Sequence, residues 1–210
     1  MPDALLLELD TLVAGARAAR RAALSCALVE AGHGDAVDPR SLDDTARELL
    51  ALRASRHYAA WLSQGVTLVD SASHTVIDAA AQVPVAVVSR GTRDEVAHVL
   101  ALAGLESTVR FVVAAEDVCD GKPSPEGYEL ALGRLSRLRP LAAGRVLAIE
   151  DAPDGVAAAR RAGLRVVAVG DLAAHEAAEA DALVPALAGH DLRSLASLAV
   201  PTRAPVRGQQ

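Results

Sequence analysis

Short apolar runs alternate with longer amphipathic stretches along most of the chain. Apolar runs of four to six residues predict strands that are buried on both faces, and apolar positions at helical spacing between them predict helices. Repeated strand–helix alternation predicts an α/β fold, a doubly wound parallel sheet with right-handed crossovers. The predicted strands are 4–9, 83–88, 111–114, 146–149 and 166–169, and the helices between the later strands are 92–103, 125–135 and 155–162.

One long segment has no strand pattern. Residues 14–31 and 41–63 have helical periodicity, and Gly32 ends the first of these helices. The apolar first strand must nevertheless join the sheet. The sequence therefore predicts a core made of residues 1–13 and 76–200, with a helical insertion at residues 14–75. The tail at 201–210 is rich in Pro, Arg, Gly and Gln and is predicted to be disordered.

Composition and charge exclude several classes of partner. The net charge is −6 and no block of Lys or Arg forms a stripe, which argues against a nucleic acid or an anionic membrane. No apolar run reaches membrane-spanning length, and the segment Met1 to Leu7 lacks the features of a signal peptide. Cys26 and Cys119 have no metal or redox spacing, so we expect reduced thiols in a cytoplasmic protein.

Two adjacent acids follow the fourth predicted strand. The apolar run from Val146 to Ile149 leads directly into Glu150 and Asp151, and a loop of small residues follows. Open parallel sheets bind ligands at the carboxyl ends of their strands, and carboxylate oxygens suit Mg²⁺. The alternative is that the two acids only end the strand and begin to cap the helix at Gly155.

Four segments at predicted strand ends and loops form an ordered set. They are Glu8-Leu9-Asp10-Thr11-Leu12, Ser89-Arg90-Gly91, Gly121-Lys122-Pro123-Ser124-Pro125 and Glu150-Asp151. Each is a weak signal alone, but their order and spacing together resemble the haloacid dehalogenase superfamily of phosphohydrolases. The resemblance is greatest to the branch that contains phosphoglycolate phosphatases and β-phosphoglucomutases. It implies a Rossmann-like core, with residues 14–75 as a small helical cap inserted after the first strand.

The resemblance also implies roles in phosphoryl transfer. Glu8 takes the place of the nucleophile and Asp10 that of the general acid and base, while Lys122 restrains the nucleophile. Ser89, Arg90 and Lys122 are the implied phosphate-binding residues. The alternatives are that Ser89 caps a helix and that Lys122 is an ordinary loop lysine, although the flanking glycine and proline fix the backbone of Lys122 more than a surface lysine requires.

The implied cofactor is Mg²⁺, held by Glu8, Asp10, Glu150 and Asp151. The implied partner is a small phosphorylated metabolite, and the chain is expected to be a monomer or a weak homodimer. The six histidines show no ligand spacing, so none is assigned to the metal.

The first segment departs from the family pattern, which is Asp-x-Asp-Gly. Here Glu8 replaces the nucleophilic Asp, and the Gly after Asp10 is absent. Alignment on the two acids keeps their spacing and predicts that both lie on one face of an extended strand end; alignment on Thr11 would instead put Leu7 at the nucleophile. The extra methylene of Glu displaces its carboxylate by up to about 1.5 Å, and a displacement near 1 Å costs about 10²-fold in rate.

Three hypotheses therefore remain open from the sequence. The first is a slow Mg²⁺-dependent phosphatase that works through an acyl-phosphate intermediate, with Glu8 or, if the strand shifts, Asp10 as the nucleophile. The second is a catalytically impaired member of the fold that binds phosphate or metal as a regulatory module. The third is a phosphomutase or a dehalogenase of the same superfamily.

Overall fold

A computed structural model describes residues 1–34, 37–69 and 71–199. The predicted disordered tail at 201–210, and residue 200 of the predicted core, lie outside these ranges. The chain divides into two compact units: Val13–Leu68, and Met1–Leu12 together with the described residues from Val69 onward. The smaller unit ends at Leu68, whereas the predicted insertion extends to residue 75.

The larger unit is built on a six-stranded parallel sheet with the strand order β3-β2-β1-β4-β5-β6. The predicted parallel α/β fold is therefore confirmed. Helix α3, strand β6 and helix α7 were not predicted. The strands are β1 Ala4–Leu7, β2 Val85–Val88, β3 Val112–Val113, β4 Val146–Glu150, β5 Arg165–Val169 and β6 Ala182–Val184. The helices of this unit are α3 Ala72–Ala80, α4 Arg93–Ala103, α5 Glu126–Ser136, α6 Pro153–Arg161 and α7 Leu192–Leu198.

Strand register brings the carboxyl ends of three strands together. On the central strand, Leu7 pairs with Val87 of β2 on one side and with Ile149 of β4 on the other. The backbone N–H of Glu8 continues this ladder and donates to the carbonyl of Ile149 at 2.9 Å. The chain order reverses direction between β1 and β4, which is where open α/β sheets bind ligands.

The first strand is shorter than predicted. It ends at Leu7, and Leu9–Leu12 form a 3₁₀ helix. The hydroxyl of Thr11 donates to the Glu8 carbonyl at 2.6 Å, and the Thr11 N–H donates to the same oxygen at 3.3 Å. These bonds turn the backbone immediately after Glu8. The prediction that Glu8 and Asp10 share one face of an extended strand is therefore wrong.

The hydrophobic core on one side of the sheet contains many alanines. Ala131 of α5 and Ala158 of α6 pack there with buried strand residues such as Leu6 and Ala148. Small side chains let helices approach a sheet closely, so a chain with few aromatic residues can still fill its interior. Among the described residues no helix is long and apolar enough to cross a membrane.

The described residues of the smaller unit form two α-helices, α1 Ala16–Glu30 and α2 Asp44–Ser63. Their shared core includes Ala27, Leu28 and Leu50. Helix α2 begins after Asp43, whose carboxylate accepts a hydrogen bond from the Ala46 N–H at 2.8 Å. The predicted start at residue 41 is therefore too early, because Asp43 provides the N-cap.

Candidate active site

Glu8 is a fully buried carboxylate at the carboxyl end of β1. Its Oε1 accepts hydrogen bonds from the Leu9 N–H and the Ser89 hydroxyl, both at 2.8 Å. Its Oε2 accepts a hydrogen bond from Lys122. The carboxylate is therefore charge-paired and fixed in orientation, as a nucleophile in an in-line displacement must be.

Lys122 binds two carboxylates at once. Its Nζ donates to Glu8 Oε2, to Glu150 Oε1 at 2.6 Å and to the carbonyl of Val88 at 2.9 Å. The side chain is only 7% exposed. Burial alone would lower the pKa of Lys122, but the charges of Glu150 and Glu8 outweigh it and raise the pKa. Lys122 is therefore a charged part of the site and not an ordinary loop lysine.

Glu150 is enclosed by donors on one side and by backbone on the other. Its Oε1 accepts hydrogen bonds from Lys122 and from the Tyr128 hydroxyl, whereas its Oε2 has no hydrogen-bond partner among the described residues. A Cβ atom at Gly155 would overlap the whole carboxyl group. Burial raises the pKa of Glu150, against the lowering effect of Lys122.

Ser89 and Arg90 follow β2 at the same edge of the sheet. The Ser89 hydroxyl donates to Glu8 and accepts a hydrogen bond from the Gly91 N–H at 3.1 Å. The N-cap of α4 is Thr92, so Ser89 does not have the alternative role of helix cap. Arg90 is exposed to solvent, and its positive charge acts on Asp151.

Asp151 lies close to several other acids. Burial, followed by the charges of Glu8, Asp10 and Glu150, raises the pKa of Asp151 to about 7, while Arg90 opposes the shift. The N-cap of α6 is Ala152, so neither acid at the end of β4 caps that helix. Asp10 is also buried, with 5% of its surface exposed.

The described acidic residues do not form a cage around a single metal ion. No three Asp, Glu, His or Cys side chains among the described residues are arranged to share one metal ion. Mg²⁺ does not need three, because it retains several waters and binds proteins through one or two carboxylates. Asp10 and Asp151 are the acids that Lys122 does not engage, whereas Lys122 binds both Glu8 and Glu150. The four-residue metal set therefore stays a prediction.

The sequence matches the model of a known protein family. A model of the haloacid dehalogenase-like hydrolases matches residues 40–169, which is well over half of the 210-residue chain. The chain belongs to the haloacid dehalogenase-like hydrolase family. The matched range includes Ser89, Lys122, Glu150 and Asp151 but begins after β1, so the altered segment with Glu8 lies outside it.

The relatives of this family member include phosphatases. Validoxylamine A 7'-phosphate phosphatase of Streptomyces hygroscopicus subsp. limoneus is 38% identical over 106 residues, which are 49% of this chain and 47% of that protein. Phosphoglycolate phosphatase of Pectobacterium atrosepticum is 33% identical over 116 residues, which are 55% of this chain and 48% of that protein. The chain thus spans about half the length of these two relatives.

Solved structures show the same fold at lower identity. CbbY from Rhodobacter sphaeroides, crystallised in complex with phosphate, superposes with a TM-score of 0.71 at 22% identity. The superposition covers 93% of this chain and 100% of CbbY. β-Phosphoglucomutase from Clostridium difficile gives a TM-score of 0.73 at 16% identity, over 94% of this chain and 97% of that one.

Two members of the site were not predicted from the sequence. Tyr128 occupies an apolar position of α5, where a tyrosine is indistinguishable from a packing residue until Glu150 is placed beside it. Gly155 was predicted only as the start of a helix. A glycine inside a helix costs about 1 kcal/mol of stability relative to alanine. A glycine at such a position therefore indicates that another group approaches the backbone too closely for a side chain.

Proposed function

We propose that this chain is a phosphoric monoester hydrolase that acts on a small phosphorylated metabolite, with Glu8 as the nucleophile and with slow turnover. The observation that carries the proposal is the position of the Glu8 carboxylate between the Ser89 hydroxyl and the Lys122 ammonium, at the carboxyl end of β1. The phosphatase relatives support the reaction class.

The reaction proceeds in two displacements. A carboxylate oxygen of Glu8 attacks phosphorus, the P–O bond to the leaving group breaks, and Asp10 gives its proton to the departing alkoxide. Asp10, now a carboxylate, then takes a proton from a water that attacks the acyl phosphate. The bond between Glu8 and phosphorus breaks, and inorganic phosphate leaves with Glu8 restored.

Charge stabilisation comes from side chains around the phosphoryl oxygens. Ser89, Arg90 and Lys122 are the proposed donors, since the transferred group carries its charge on three oxygens. Arg90 is exposed and, among the described residues, we find no hydrogen bond from its guanidinium. Asp151 would hold Mg²⁺, which would supply further positive charge to the phosphoryl group when bound.

The test is turnover of a generic aryl phosphate during a Mg²⁺ titration. Metal-dependent release of phosphate by the parent chain would support the proposal. Binding of phosphate or Mg²⁺ without turnover would instead favour the second hypothesis, a regulatory module. One observation favours that alternative: the hydroxyl of Ser89 and all three N–H bonds of Lys122 already bind protein acceptors.

Substitution of Asp151 tests the metal site. Asp151→Asn should abolish stabilisation by Mg²⁺, whereas the parent should gain about 2.7 kcal/mol at a concentration 100 times the dissociation constant. The measurement is thermal unfolding with and without Mg²⁺, and Asp120→Asn, at an exposed position in the same unit, is the control. Equal melting temperatures with and without Mg²⁺ in both the parent and Asp151→Asn would rule the site out.

Without metal, the raised pKa of Asp151 should make the stability of the parent chain depend on pH. The pKa of Asp151 is about 7 in the folded chain and about 3.9 in an unfolded one. Between these values the folded state retains a proton that the unfolded state has lost, so stability should fall as the pH rises from about 4 to about 7. Asp151→Asn should lose this part of the pH dependence, as measured by unfolding in the presence of a chelator.

Repair of the first segment should accelerate turnover. Glu8→Asp, combined with insertion of a glycine between Asp10 and Thr11, should raise kcat by about 10²-fold. The substitution removes the extra methylene, and the glycine relaxes the turn that Thr11 closes over the Glu8 carbonyl. Steady-state kinetics on aryl phosphate measures the gain. A repaired variant that binds Mg²⁺ but gains no activity would favour the non-catalytic hypothesis.

A further inference from the structure

Tyr128 is a fully buried residue in the first turn of α5. A buried tyrosine hydroxyl needs a hydrogen-bond partner, and the Tyr128 hydroxyl donates to Glu150 Oε1. The centre of its ring lies 5.3 Å from Lys122 Nζ, within the range of a cation–π interaction. Tyr128 therefore contacts both members of the Lys122–Glu150 ion pair.

The three N–H bonds of Lys122 are all in use. An ammonium group has three donors, and those of Lys122 point at Glu8 Oε2, Glu150 Oε1 and the Val88 carbonyl. Lys122 can therefore donate to a phosphoryl oxygen only if one of these three acceptors loses its hydrogen bond.

The three acceptors differ in how much stabilisation is lost when Lys122 gives up its hydrogen bond to each of them. Loss of the hydrogen bond to Glu8 would separate Lys122 from the attacking carboxylate. Loss of the hydrogen bond to Val88 would leave a backbone carbonyl without that donor. Glu150 Oε1 also accepts a hydrogen bond from Tyr128, and that bond can remain when Lys122 leaves. Glu150 is therefore the acceptor that Lys122 can exchange at the lowest cost.

We propose that Tyr128 is a positioning residue: its hydroxyl keeps Glu150 hydrogen-bonded while Lys122 moves one N–H from Glu150 to a phosphoryl oxygen of the substrate. This inference rests on the proposed phosphatase function. It explains how a lysine with every donor engaged can still bind a phosphoryl group.

The test is a double-mutant cycle on phosphate binding, with the parent chain, Tyr128→Phe, Glu150→Gln and the double variant. Isothermal titration with inorganic phosphate in the presence of Mg²⁺ gives each dissociation constant, and thermal unfolding checks that each variant is folded. Tyr128→Phe retains the ring and removes only the hydroxyl. It should raise the dissociation constant by about tenfold in the parent background, because the hydroxyl bonds a charged group, and kcat/KM should fall by a similar factor.

The Glu150→Gln background separates this role from a general structural one. A neutral amide holds Lys122 less strongly, so there Tyr128→Phe should change the dissociation constant by less than about twofold. An equal loss in both backgrounds, or no loss in the parent, would overturn the role of Tyr128 and leave the phosphatase proposal standing. Failure of all four proteins to bind phosphate would overturn both.

A second measurement does not depend on a folded Tyr128→Phe variant. Incorporation of 3-fluorotyrosine makes the Tyr128 hydroxyl a stronger donor and keeps it in place, and Tyr58→Phe removes the other tyrosine of the chain. The fluorinated protein should bind phosphate more tightly than its unlabelled counterpart. Unchanged or weaker binding would contradict the proposal.

Discussion

Replacing Glu8 by glutamine should reduce aryl phosphate turnover to background, a loss of about 10³-fold or more if the parent is measurably active. The amide cannot attack phosphorus, and it withdraws one of the two carboxylates that Lys122 binds. Circular dichroism should show a folded chain, because the Lys122–Glu150 pair remains.

Glu129→Gln is the matched control for this substitution. It makes the same chemical change at an exposed position of α5, and turnover should remain at the parent rate. Activity that survives Glu8→Gln would show that Glu8 is not the nucleophile, and alignment on the two acids would then be wrong.

Gly155→Ala should be the most damaging single-methyl change in the larger unit. The new Cβ would overlap the carboxyl group of Glu150, which also holds Lys122 and Tyr128. Overpacking costs about 1–3 kcal/mol, and disruption of a buried ion pair costs about 3–5 kcal/mol. We therefore expect a loss of several kcal/mol of unfolding free energy, or no folded protein, as measured by urea denaturation.

Gly133→Ala provides the matched control. Gly133 also lies inside a helix, α5, and a Cβ there would meet nothing within 4 Å. Alanine should stabilise the chain by about 0.5–1 kcal/mol, because it loses less conformational freedom on folding than glycine does. Equal changes in unfolding free energy for the two substitutions would show that the Gly155–Glu150 contact does not limit stability.

Five of the six strands of the sheet could be predicted because buried parallel strands have a local signature in the sequence. Runs such as 146–149 are apolar at every position. A continuous apolar run of only four residues is typical of a strand that is buried on both faces of a sheet. Strand β6 and helix α7 were missed because both are short, and β6 has an exposed leucine, Leu183, in a three-residue strand.

The site was predicted in part for a similar reason. Glu8, Ser89 and Glu150 each follow a recognisable strand, so their convergence follows from strand order and register. The path of the chain after β1 could not be inferred, because it depends on the Thr11 hydroxyl closing a turn over the carbonyl of Glu8. Contacts between distant segments, such as Tyr128 with Glu150, have no local signature in the sequence.

The most direct test of the central claim is to look for the phosphoryl group on Glu8. The parent chain is mixed with an aryl phosphate and Mg²⁺, quenched in acid during turnover, digested, and its peptides are analysed by mass spectrometry. We predict a phosphorylated peptide with the modification on Glu8, and no such peptide from Glu8→Gln. Turnover by the parent without a phosphoryl group on Glu8, or with the group on Asp10, would contradict the account.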